Sequence, residues 1–195
     1  MVIDTAINFD NTQHFGYEVI TPIDTKGVSR MDIFELLNAL GIEFRRLDHE
    51  AVFTVEQSRQ LRIFDKLGGQ PCKNLFLRNK RGEFFLLTLP ADKKADLKAV
   101  AKILQMSRLS FASEDELSTI LNLHAGSVTP LGIVNDAQRK VKLIIDAELQ
   151  GKTLLLHPNT NTATISIAFD DLIALIRHAG HEFSLVNLQN GAATV

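Results

Sequence analysis

The sequence predicts an α+β fold, a single domain with a central mixed, mostly antiparallel β-sheet flanked by helices. Three observations carry this prediction. Short apolar runs alternate with segments whose apolar residues recur at three- and four-residue spacing. Two of the runs are joined by a tight polar turn, which pairs them antiparallel, whereas a doubly wound fold would alternate strand and helix throughout. Finally, 195 residues with 45% apolar and 23% charged side chains suit one packed domain at ~150 residues per domain, and no repeat, low-complexity tract or linker marks a boundary.

Taken in order, residues 1–28 are polar and irregular, broken by Asn8, Asp10, Asn11, Pro22 and Gly27, and read as an N-terminal extension to a domain spanning 29–195. Met31, Phe34, Leu37 and Leu40 then keep helical spacing, with Ser29 placed to cap and Gly41 to close. Ile42, Phe44 and Leu47 predict a short strand. Thr54 and Gln57 form a capping-box pair that opens a second helix, ending at Gly68-Gly69. Residues 73–79 and 83–89 read as a β-hairpin turning at Asn79-Lys80-Arg81-Gly82, and Pro90 stops its second strand. Asp92 can cap a helix carrying Leu97, Val100, Ala101 and Leu104, and Ser113 with Glu116 marks another to about Leu123. Strands are expected near 132–134, 141–146, 153–157 and 164–168. A helix capped by Asp170 and closed by Gly180 follows, and then a strand near Phe183 to Val186.

Composition narrows the function. No stretch approaches the ~20 consecutive apolar residues of a membrane helix, and the first residues lack the basic start and apolar core of a signal peptide. A soluble, cytoplasmic protein with no membrane partner is the expectation. Cys72 is the single cysteine, so neither an internal disulfide nor a multi-cysteine zinc site is available. The formal charge of −2 conceals a gradient: residues 44–102 hold 13 Lys and Arg against 7 Asp and Glu, a surplus of +6 between acidic flanks. Lys73, Arg78, Lys80 and Arg81 cluster there with no acid among them. A solvated hairpin rim and a phosphate-facing surface both fit that cluster.

The common catalytic signatures are missing. There is no G-x-S-x-G elbow, no H-E-x-x-H, no phosphate-binding G-x-x-x-x-G-K-[ST], no dinucleotide-binding G-x-G-x-x-G and no calcium loop. Only His178 and His181 among six histidines lie close together, straddling Gly180 at a helix end, so neither a metal nor a cofactor is expected. Three segments remain. In KNLFLRNKRG, 73–82, Lys73 and Asn74 open an otherwise apolar strand, where the lysine can hold a phosphate or simply guard an edge. In GSVTPLGIVND, 126–136, a loop between Gly and Pro can aim backbone N–H groups at one spot. In LLLHPNTNTAT, 154–164, an apolar strand delivers His157 to a polar loop, as a structural or a functional histidine.

Together KNLFL at 73–77, GSVTP at 126–130 and HPNTNT at 157–162, preceded by DHEAVFTVE at 48–56, resemble the YbaK-type aminoacyl-tRNA editing family. The likeness is strongest to its free-standing prolyl-tRNA editing branch, the Ala-tRNA(Pro) deacylases, and runs from about Ser29 onward. The synthetase's own catalytic and anticodon domains are missing here, so the expectation is action in trans. The resemblance implies the α+β fold of the synthetase-associated domains and hydrolysis of the ester joining a wrong amino acid to the terminal adenosine of proline tRNA. It implies that Lys73 contacts the phosphate of the tRNA end, with Asn74 beside it. Gly126, Ser127, Val128, Thr129 and Pro130 would form the substrate loop near the aminoacyl carbonyl, and His157 would limit pocket size. Val52 and Thr54 belong to the neighbouring wall, where Glu50-Ala51 replaces the prolines of many relatives.

An aminoacyl ester is already reactive and its ribose hydroxyl can help place water. Positioning and oxyanion stabilisation therefore suffice, and no catalytic triad is required. The expected partner is the acceptor end of tRNA(Pro) carrying alanine, with prolyl-tRNA synthetase or an elongation factor as further candidates. Two competing readings are a Cys-tRNA(Pro) deacylase and a catalytically idle tRNA- or synthetase-associated module.

Overall fold

Strand Phe84–Pro90 is apolar along nearly its whole length, the pattern of a strand covered on both faces, and the structure puts it at the centre. The structure is a computed structural model describing residues 32–189 and the short strand at 192–193; residues 1–28 lie outside the described part. In chain order the elements are α1 (Ile33–Ala39), β1 (Phe44–Asp48), α2 (Val55–Gln60), α3 (Ile63–Leu67), β2 (Gln70–Asn79), β3 (Phe84–Pro90), α4 (Leu97–Ile103), β4 (Leu109–Phe111) and α5 (Glu114–Leu121). A 3₁₀ helix (Pro130–Asn135) follows, then β5 (Val141–Asp146), β6 (Thr153–Leu156), β7 (Ala163–Ala168), α6 (Phe169–His178) and β8 (Phe183–Val186). The short strands β9 (Leu188–Gln189) and β10 (Ala192–Ala193) pair with each other.

The main sheet runs β1-β7-β6-β2-β3-β5-β8, with β4 pairing on β2. Pairs β1·β7, β7·β6, β2·β3 and β2·β4 are antiparallel; β6·β2, β3·β5 and β5·β8 are parallel. The sheet is thus mixed and mostly antiparallel, as the sequence predicted. Alternation along β3 sends Phe85, Leu87 and Leu89 into one cluster with Val100 and Ala101 of α4, while Leu86 enters the larger cluster with Leu172, Ile173 and Ile176 of α6.

Several local expectations need correction. Ser29 lies outside the described residues, and Asp32 caps α1 by accepting from the Phe34 N–H at 2.7 Å. The helix opened by Thr54 keeps its capping box but breaks at Arg62, whose φ of 54° ends α2 before α3 begins. Asp96, not Asp92, caps α4, accepting from the N–H groups of Lys98 and Ala99. The strand expected at 132–134 is instead the 3₁₀ helix, because Pro130 presets its first φ and the Thr129 hydroxyl accepts from Leu131 N–H. Asp170 does not cap α6: that helix starts at Phe169 without a side-chain cap, and Asp170 and Asp171 sit in its first turn, favourable to the helix dipole. β2 begins at Gln70, three residues early, because Gln70 and Pro71 pair with Leu154 and Leu155 of β6. The three-residue β4 was not legible.

Candidate active site

The sheet has a gap. On one edge β2 pairs with β3 from Cys72 to Arg78, but on the other it meets β6 only at Gln70 and Pro71 and β4 only at Leu77 to Asn79. Between those contacts, residues 72–76 face no strand, and a cleft of about 220 Å³ opens there. Cys72, Lys73 and Asn74 form one wall; Gly126 and Val128 a second; Leu155, Leu156, His157 and Thr164 a third; and Phe53, Thr54, Val55, Ser58 and Phe64 close it.

Lys73, Asn74, Gly126, Val128, His157 and Thr54 are therefore brought together, although 103 residues separate Thr54 from His157. Burial pushes the Lys73 ammonium below its ordinary value, with Asp92 pulling the other way, and Lys73 forms no ion pair among the described residues. Asn74 Nδ2 donates to the Val128 carbonyl at 3.1 Å and so pins the loop to β2, while its buried Oδ1 has no partner among the described residues. Gly126 holds φ at 87°, a backbone conformation that favours glycine, and a Cβ there would sit 2.7 Å from Phe53 Cδ1 and displace that exposed ring.

His157 stands just past β6 and bonds through Nδ1 to the Ala163 carbonyl at 2.8 Å. That bond needs Nδ1–H, which in the neutral ring leaves Nε2 as an acceptor. Burial pushes its pKa down, against the raising effect of the Ala163 bond and with a further lowering from His49. The two rings lie 6.1 Å apart. His49 Nε2 contacts the Thr164 hydroxyl at 2.9 Å and its Nδ1 the Glu50 carbonyl at 2.7 Å, fixing a cleft-lining hydroxyl from behind. Cys72 is no nucleophile: burial pushes its thiol up to about 12, despite lowering by a Leu155 backbone bond and Lys152.

Other expected residues support the cleft without lining it. The Ser127 hydroxyl donates to the His124 carbonyl at 2.9 Å and its N–H donates to the same oxygen at 3.0 Å, so Ser127 is spent on shaping the turn. Thr129 and Pro130 start the 3₁₀ helix. Val52 packs with Ile63, Leu67 and Leu155, one layer behind. Arg78 pairs with Glu116, and Lys80 and Arg81 lie at the hairpin turn, seven residues from Lys73 to Lys80 or ~23 Å at about 3.3 Å per strand residue. Thr164 and His49 were missed as site residues. Thr164 sits in an ordinary strand alternation that carries no functional signal, and His49 is marked only by its place in the DHEAVF stretch.

The cleft is small, with Lys73 unpaired in its wall among the described residues and its cysteine held as a thiol. The model of the aminoacyl-tRNA editing domain matches residues 49–175, and the chain belongs to that family. It is 32% identical to the prolyl-tRNA editing protein ProX of Acetoanaerobium sticklandii over 82% of this chain and 98% of that one. It is 33% identical to the prolyl-tRNA synthetase associated domain-containing protein 1 of Danio rerio, over 85% and 89%. A crystal structure of a candidate trans-editing enzyme for prolyl tRNA synthetase superposes with TM-score 0.60 at 17% identity, covering 84% of this chain and 100% of that one, which speaks for the fold. Among the described residues no helix is long and apolar enough to cross a membrane.

Proposed function

We propose that this chain is a trans-acting deacylase that hydrolyses the ester of alanine wrongly joined to proline tRNA. The observation that carries the reading is the Gly126–Val128 loop, tied by Asn74 to the strand that presents an unpaired Lys73. In this reading Lys73 holds the phosphate of the terminal nucleotide as a point charge. The ester carbonyl faces the loop. Ser127 N–H is committed to His124, so the oxyanion donor is Gly126 or Val128 N–H, neither of which has an acceptor among the described residues. One such donor is worth ~100-fold or more in rate. Water attacks the carbonyl, placed with help from the ribose hydroxyl, and the ester oxygen leaves as the ribose hydroxyl. His157 and Phe53 narrow the cleft to a small side chain, the second sieve needed because a synthetase site that admits proline cannot reject alanine.

Hydrolysis of Ala-tRNA(Pro), Ala-tRNA(Ala), Cys-tRNA(Pro) and Pro-tRNA(Pro) by the purified chain tests this. Rapid loss of alanine from tRNA(Pro) with Pro-tRNA(Pro) spared is expected. Faster loss of cysteine than alanine would assign the cysteine ester instead, and binding without hydrolysis would make the chain an idle module.

A further inference from the structure

A second groove lies along α4. It is larger than the cleft, about 740 Å³, with Leu97, Ala101, Met106 and Leu109 on its floor. Lys94, Lys98, Lys102 and Arg108 line it, all exposed, and among the described residues none of these four forms an ion pair. The groove's only acid among the described residues is Asp96, whose carboxylate accepts from the Lys98 and Ala99 N–H groups and so is occupied in capping α4. The hairpin cations are different. Arg78 is paired with Glu116, and Glu83, which pairs with Lys142, lies close enough to Arg81 for Arg81 to help hold its carboxyl below the ordinary value.

The groove also starts beside the cleft. Leu89 is the register partner of Lys73, and Pro90 that of Cys72. The chain then turns, with Lys93 N–H donating to the Pro90 carbonyl. Lys94 is four residues beyond Pro90, at most ~14 Å away. Lys98 and Lys102 are one helical turn apart, about 6 Å along the axis and on one face. Apolar floor, cationic rim and freedom from acidic partners match a sugar-phosphate backbone, with phosphates on the lysines.

Resting on the deacylase reading, we infer that the α4 groove, and not the hairpin tip, holds the phosphates of the double-helical stem that adjoins the aminoacylated 3′ end. The groove thus selects a whole tRNA over a free ester, while the cleft does the chemistry.

The test compares Ala-tRNA(Pro) with a short alanylated 3′-terminal oligonucleotide that lacks the stem. In the combined variant Lys94→Ala, Lys98→Ala and Lys102→Ala, KM for the tRNA should rise at least tenfold at unchanged kcat. The slope of log kcat/KM against log salt should shrink by about 2 to 3, at ~0.9 for each phosphate no longer neutralised. The short ester should be hydrolysed as by the parent chain. The reversal Lys98→Glu with Lys102→Glu should weaken the tRNA further still. An unchanged KM and salt slope, or an equal loss on both substrates, overturns the groove assignment. If the parent chain hydrolyses neither ester, the deacylase reading fails by itself. Anisotropy of uncharged tRNA against parent and variant then decides the groove separately: weaker, less salt-dependent binding by the variant supports it, and identical binding overturns it.

Discussion

Lys73 and Lys93 belong to the same end of the sheet, and the protein treats them in opposite ways. Lys93 has a side chain 10% exposed and lies 2.7 Å from the fully buried Asp146 and 3.1 Å from Glu148. Burial pushes its pKa down, but hydrogen bonds and charge from the two acids outweigh that and hold it above the ordinary value. Lys73 is partly buried with no such partners, and its pKa falls. A desolvated charge without a partner is unfavourable in the free protein. The corner at Lys93 has its charge matched by two acids, whereas in the cleft Lys73, Asn74 Oδ1 and His157 Nε2 are all unpartnered among the described residues.

The contrast can be broken by mutation. Lys93→Ala should have the largest effect, ~3–5 kcal/mol of unfolding free energy, because it strands the buried Asp146 carboxylate; urea unfolding measures this, and a loss under 1 kcal/mol would remove the contrast. Lys73→Ala should leave the urea midpoint unchanged or slightly raised, yet cost ~10- to 100-fold in kcat/KM, the worth of a charged hydrogen bond of about 1.5–3 kcal/mol. A variant that loses stability and keeps activity would place Lys73 with the structural lysines. His157→Ala should lower discrimination between alanyl and prolyl esters by roughly tenfold, at the ~1–3 kcal/mol that each methylene in a pocket is worth.

The pH dependence should be smaller. Since burial lowers the His157 pKa, the unfolded chain takes up a proton below about pH 6.5 while the folded ring stays neutral. This contribution is therefore constant above that value and turns destabilising as pH falls, levelling off once the folded ring is protonated. His157→Gln should flatten that part of the urea-midpoint profile by under ~1.4 kcal/mol per pH unit. Arg78→Ala should do least, within ~1 kcal/mol of stability and with short-ester hydrolysis unchanged, since Arg78 is a half-exposed partner of Glu116.

Much of this was legible beforehand, and unevenly. The β2-β3 hairpin was readable because Gly82 at φ 78° and the Asn79 side chain, which accepts from the Arg81 and Glu83 N–H groups, are local devices. The boundary of β2 was not, because Gln70 and Pro71 are held by β6, more than eighty residues away. Lys73, Asn74, Gly126, Val128, His157 and Thr54 were named as one set through the resemblance. Ser127 and Val52 were included with them because neighbours in sequence share a motif, yet one hydroxyl turns to His124 and one side chain turns to Ile63 and Leu67.

The charge count has the same limit. Arg78, Lys80 and Arg81 put three cations in four positions, but the fold brings Glu116 to Arg78, and Glu83 lies beside Arg81. The sparser Lys94, Lys98 and Lys102 end on one groove, where the local acid is spent on a cap. The sequence by itself determined most of the elements, the hairpin turn, the Thr54 and Ser113 caps and the residue types available for chemistry, since these depend on neighbours within a few positions. Only the tertiary structure decided which side chains share the cleft, which charges are neutralised and where the sheet opens, because those depend on partners that the chain brings back from a hundred residues away.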